Sequence, residues 1–182
     1  MARRTGVTCS ALMTLASSGL WAQATPFGLR EGLSVSDLAA IAGPLSPQDG
    51  TPPTFYATKV PRPHPELNVY AVVVGDSTGL CQVVGGRAID STAAVDIEAD
   101  RVYRILNEQL TAKYGKASST TKGQARWLSI SDASIPANLD AIILGLVPQK
   151  SGAILVQLRY RFANVLRCQA PAPPPDPVRD AL

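Results

Sequence analysis

The stretch "DIEADRVYRILNEQLTAKYG", residues 96–115, does more than any other to limit the folds open to this chain. Ala99, Val102, Leu106 and Leu110 recur at helical spacing with Tyr103 beside them, which predicts a helix over residues 96–114 with one apolar stripe. Glu98, Asp100, Arg101, Arg104, Glu108 and Lys113 cover the remaining surface. Acid near the start and Lys113 near the end agree with the helix macrodipole, and Gly115 supplies the stop. Such a helix must lay its stripe on something, and the segments on either side read as strands.

Ahead of it stand "TFYATKV" (54–60), "LNVYAVVV" (67–74) and the short "LCQVV" (80–84), rich in β-branched and aromatic residues. The stiff connection "PRPHPE" and the turn "GDSTG" separate them. The near-continuous apolar run of 67–74 predicts a central strand with both faces at least partly covered. Behind the helix come the polar loop "KASSTTKGQA" and the strands "RWLSI" (126–130), "AIILGLV" (141–147) and "AILVQLRYRFAN" (153–164), the last two joined by the hairpin turn "PQKSG". In the final strand Val156, Leu158, Tyr160 and Phe162 share one face, and Gln157, Arg159 and Arg161 share the other. Trp127 reads as core filler, because a helix-covered sheet wants large apolar side chains.

A shorter helix is written in "GLSVSDLAAIAGP" (32–44). Ser34 can cap its free N–H groups, Asp37 can complete a capping box, and Gly43 with Pro44 ends it. Val35, Leu38, Ile41 and Ala42 form its apolar face, and "SPQDGTPP" (46–53) reads as a loop. The fold class expected is therefore α+β: an antiparallel sheet packed by two helices, in one domain over 25–168. Helix, glycine stop, loop and three-stranded meander occur in that order twice, so a tandem αβββ–αβββ arrangement with halves 25–90 and 91–168 is one reading.

The first 24 residues belong to none of this. "MARR" is a cationic start, "ALMTLASSGLW" an apolar run too short and too rich in Ser and Thr to span a bilayer, and Ala22 and Ala24 have the small-x-small spacing of a signal-peptidase site. Cleavage is expected between Ala24 and Thr25, by the general or the twin-arginine route. Cys9 lies too early for lipoprotein processing. Loss of Arg3 and Arg4 leaves 15 basic against 14 acidic residues, so the net charge of +3 falls to +1 and implies no nucleic-acid partner. The remaining 158 residues are enough for a core without a metal. Two cysteines remain, Cys81 and Cys168, and an even count in an oxidising compartment predicts one disulfide. The proline-rich end "QAPAPPPDPVRDAL", 169–182, is expected to be an extended, disordered tail.

The phrase Gly32-Leu33-Ser34 with Asp37-Leu38, followed by a loop with Ser46-Pro47 and then strands, resembles the start of small periplasmic αβββ domains. These include the outer-membrane-assembly lipoprotein E family and the β-lactamase-inhibitor-protein family. "LTAKYGKAS" (110–118), a Trp strand and the terminal "LRYRF" are similar to uncharacterised proteobacterial periplasmic proteins of the same build. The resemblance implies a sheet packed by helices and protein-binding duties. The lipidated cysteine of the assembly lipoprotein is missing, and no functional residue carries over.

Catalytic groups are scarce. His64 is the single histidine, in a rigid connection, so neither a two-histidine metal site nor a serine triad with a G-x-S-x-G elbow can be assembled. Glu98 and Glu108 read as solvated helix surface, Glu31 and Asp37 as helix approach and cap, and Asp90, Asp96 and Asp100 span too much chain for a calcium loop. The glycines of "GDSTG" and "VVGGR" read as turns, since neither opens a helix in a phosphate-binding pattern. What remains is surface. Arg159 and Arg161 line one strand face and Arg126 begins another strand, so they form the candidate partner-binding face; the plainer reading is that they deter edge pairing. The function expected is an exported, non-catalytic protein-binding protein (inhibitor, immunity-type or accessory envelope factor), with no cofactor and no metal. Its partner would be another envelope or secreted protein rather than nucleic acid, and the mature chain would have no transmembrane anchor. An envelope structural or stress-related protein and a small-ligand carrier are the alternatives, and an enzyme comes last.

Overall fold

A computed structural model describes residues 24–49, 52–130 and 133–169. The expected leader up to residue 23 and the tail from residue 170 lie outside the described residues. A single 3-10 turn, Pro26–Gly28, opens the described chain. It is followed by α1 (Val35–Ala42), β1 (Leu45–Gln48), β2 (Thr54–Ala57), β3 (Val69–Gly75) and β4 (Gly79–Ile89). Then come α2 (Val95–Tyr114), β5 (Ser119–Thr121), β6 (Gln124–Leu128), β7 (Leu139–Pro148), β8 (Ile154–Phe162) and α3 (Val165–Gln169).

The strands make one eight-stranded antiparallel sheet in the order β1-β2-β3-β4-β8-β7-β6-β5. It is built from two four-stranded meanders that meet where β4 pairs with β8, from Gln82↔Arg161 to Ile89↔Ile154. The α+β class expected from the sequence holds. Six strands and two helices are expected, and eight and three are found. The extra strands, β1 and β5, fall in segments read as loops, so each meander has four strands and not three. Both lie at sheet edges, and each is three or four residues long with almost nothing buried. A polar edge strand carries no alternating apolar signal because only its partner side is covered. β4 also runs straight through Gly85 and Gly86, which corrects the reading of "VVGGR" as a turn.

One sheet face carries the core. Val72, Val83, Ile142, Leu144, Leu158 and Phe162 are essentially inaccessible, and Ala99, Val102, Leu106 and Leu110 of α2 close over them as the stripe predicts. Each such side chain contributes roughly 1.5–3 kcal/mol on burial. Trp127 is fully buried, and its indole N–H donates to the Gly115 carbonyl at 2.9 Å, so the strand β6 is tied to the end of α2. Ahead of α1, Phe27 is buried with φ 53°, a left-handed conformation rare outside glycine. Its ring meets Tyr70 and Tyr160 edge-on at 5.1 and 5.6 Å. Gly85 makes room for that ring, since a Cβ there would stand 2.8 Å from Phe27 Cζ and 2.7 Å from Leu67 Cδ1.

α1 has the capping box foreseen, with the Ser34 hydroxyl accepting from Asp37 N–H and Asp37 accepting from Ser34 N–H. Of its four expected apolar positions only Leu38 and Ala42 are buried; Val35 and Ile41 face water. The helix is eight residues long and lies beside the edge strand β1, so only part of its stripe finds a neighbour. The disulfide joins Cys81 to Cys168 with Cα atoms 6.3 Å apart, fastening α3 to β4 across 87 residues of chain. At the other end of the described chain, the Asn138 amide brackets Ala24, accepting from its N–H and donating to its carbonyl, both at 2.9 Å. No helix among the described residues is long and apolar enough to cross a membrane.

Candidate functional site

Side chains alternate across a strand, so every core position in the sheet has neighbours on the opposite face. Over the middle of the sheet that opposite face is open. One row runs across six strands in register: Tyr56, Ala71, Val84, Arg159, Ile143 and Arg126. On the β1–β4 side the face is a shallow trough of about 530 Å³, its floor made of small apolar side chains such as Ala71, Val73 and Val84. Gln48 and Asp49 stand at one rim and Gln149, in the β7–β8 turn, at another, while Gln82, Gln157 and Arg159 give it a polar inner side.

The sequence singled out three arginines, and the fold brings them together on this face. Arg159 and Arg161 are two residues apart on β8, and Arg126 on β6 is reached from Arg159 across Ile143 of β7. β8 lies at the centre of the sheet, paired with β4 and β7. The edge-guarding reading therefore fails for Arg159 and Arg161, because β8 has no free edge, whereas Arg126 lies on β6 beside the edge strand β5. The reading of β3 as a central strand with both faces at least partly covered holds: it lies between β2 and β4, buried on its core side and half-covered on the other. Its run is nearly continuous in apolar residues because Ala71 and Val73, half-buried, form the floor of the open trough.

The electrostatics of the three differ. Arg161 has a carboxylate partner, Asp140, at 3.3 Å. Exposed Arg126 donates through Nε to Gln124 at 3.0 Å. Among the described residues half-buried Arg159 has the neutral Gln157 as its partner, to which Nη2 donates at 2.7 Å. The Nε atoms of both Arg159 and Arg161 are buried and lack any hydrogen-bond partner. Burial, and then the neighbouring Arg161 charge, lowers the pKa of the Arg159 guanidinium from its ordinary value. A guanidinium nonetheless stays charged at any physiological pH. The centre of the open face thus holds a half-buried cation with no carboxylate partner among the described residues.

The remaining candidates resolve into structural roles. His64 has both ring nitrogens engaged, Nδ1 accepting from Glu66 N–H at 3.1 Å and Nε2 paired with Gln109 Oε1 at 2.7 Å. Nδ1 as acceptor fixes the proton on Nε2. Glu66 and Glu98 both bind Arg101, at 3.1 and 2.8 Å, locking α2 to the "PRPHPE" connection. Glu31 accepts from Asn164 N–H at 2.8 Å and anchors the chain just after β8. Glu108, Asp90, Asp96 and Asp100 are exposed. No group of three His, Cys, Asp or Glu side chains among the described residues could hold a metal ion. Sequence reading missed Tyr56, Ala71, Val84 and Ile143 as members of the face. Their strand alternation was available, but which of the two faces stays uncovered is set by where α2 packs. The chain matches no protein-family model, no curated protein and no solved structure.

Proposed function

We infer that the chain is an exported, non-catalytic binding protein of inhibitor, immunity or accessory envelope type, and that its open sheet face receives another envelope or secreted protein. One observation carries the reading: Arg159, a half-buried guanidinium without a carboxylate partner among the described residues, stands at the centre of an eight-stranded sheet. Stability alone disfavours such a charge, and edge protection does not require it. A partner that supplies the missing counter-charge accounts for it. Export is supported by the Cys81–Cys168 bond and by the leader ending in Ala22-Gln23-Ala24. The repeated order of a helix and then a meander, with β4 and β8 meeting in the middle, supports a tandem arrangement of two like units.

A small-ligand carrier has one observation in its favour, the trough itself. It is open along its length, however, whereas small-molecule sites enclose most of their ligand. The test is chemical cross-linking in the native envelope followed by capture of the chain. The expected result is one stoichiometric protein partner, lost when Arg159 and Arg161 are both changed to glutamine. Recovery of the same partner by the double variant would remove the face from the account, and recovery of none would remove the function.

A further inference from the structure

Resting on the open-face reading, we propose that the partner docks an acidic, aliphatic polypeptide segment, seating an aspartate or glutamate carboxylate on Arg159 and Arg161 and an apolar side chain on Ala71 and Val84. Charge complementarity selects this occupant. Arg159 and Arg161 stand on the same side of one strand, and among the described residues Asp140, paired with Arg161, is the one carboxylate that offsets their mutual repulsion. Both arginine side chains are part-exposed on this face, and a carboxylate accepts several guanidinium hydrogen bonds at once. Arg126, one strand pair further on, extends the positive surface in the same direction.

The apolar half of the face sets the rest of the ligand's chemistry. Ala71, Val84 and Gly86 are small, so the floor is low enough for an aliphatic side chain beside the carboxylate. Other occupants fit less well. A second copy docking by the same face would set arginine against arginine. A flat anionic membrane would meet the trough's rim first, where Asp49 stands, and would not reach Arg159 on the inner side. Nucleic acid is disfavoured by the near-balanced charge expected once the leader with Arg3 and Arg4 is removed.

Two measurements test this. The first titrates the full disulfide-bonded protein with a fluorescent eight-residue peptide alternating glutamate and valine, its glutamine–valine and lysine–valine counterparts, palmitate, and phosphatidylglycerol vesicles. The glutamate peptide is expected to bind at least tenfold more tightly than the glutamine one, with the preference lost in Arg159→Gln and inverted toward lysine in Arg159→Glu. Equal binding of the glutamate and glutamine peptides overturns the proposal, as does tighter binding of palmitate or vesicles. The second places a photo-cross-linking phenylalanine analogue at position 56, in the same row of the face, in the chain expressed in its own envelope. A cross-linked protein segment containing Asp or Glu is expected. A cross-linked protein segment without either overturns the acidic inference and leaves the docking reading standing, whereas no cross-linked protein overturns both.

Discussion

The two meanders share a plan and differ in what they do with it. β1–β4 and β5–β8 each run from an edge to the centre, each begins after a helix, and each has a short polar outer strand. The second is covered by α2, twenty residues long, whose stripe packs on β7, β8 and also β4. The first has only the eight-residue α1 at its edge. It makes up the difference with Phe27 wedged over Gly85 and with α3 tied down by the disulfide. Their open faces diverge too: the first meander's has a floor of small apolar side chains, and the second carries the arginines. One half of the sheet is stabilised by a helix and the other by local devices, and the charged seam falls between them.

That contrast predicts where each half is vulnerable. Replacing Cys81 and Cys168 together by alanine should destabilise the protein by about 4–5 kcal/mol, the chain-entropy value for so long a loop. Urea unfolding should register this, and hydrogen exchange in the variant should quicken in β3 and β4 more than in β6 and β7. A uniform increase over all strands would mean that the bond is not local to the first meander.

Glycines give a finer comparison. Gly85→Ala drives a methyl into Phe27 and Leu67 and should cost about 1–3 kcal/mol. Gly145→Ala, on β7 of the second meander, meets nothing closer than 3.8 Å and should be neutral within about 0.5 kcal/mol. Equal costs would show that Phe27 does not depend on Gly85 for its seat. Asn138 offers a comparison between two forms of the chain. In a chain that keeps Ala24, Asn138→Ala loses two hydrogen bonds and about 1–2 kcal/mol. In a chain cut after Ala24 those bonds are already gone and the substitution should be close to silent, which intact mass and thermal unfolding together can establish.

Much of this architecture was legible in the sequence, and the illegible parts have physical causes. α2 and its stripe, the capping box of α1, the buried face of β8, buried Trp127 and the cysteine pair could all be read because each is a local pattern with a strong periodic, capping or compartment signal. β1 and β5 could not, since Pro47 and the run "STT" bury almost nothing and take their strand character from β2 and β6. The five-residue α3 was hidden beside the cysteine that anchors it. At the candidate site the arginines were visible but their setting was not. Two charges on one strand face look the same at an edge and at a centre, and only the β4–β8 pairing puts them at the centre. β3 was legible as a central strand partly covered on both faces, but that its half-covered face forms the floor of an open trough was not.

The proposed function rests on the claim that the cation at the sheet centre is kept for a partner and contributes nothing to the fold. Equilibrium urea unfolding of Arg159→Leu tests it directly. The substitution removes an uncompensated half-buried charge and its repulsion with Arg161, so stability should be unchanged or higher by up to about 1 kcal/mol, with the same dependence on denaturant. A loss of more than about 1 kcal/mol would make Arg159 a structural residue and contradict the account.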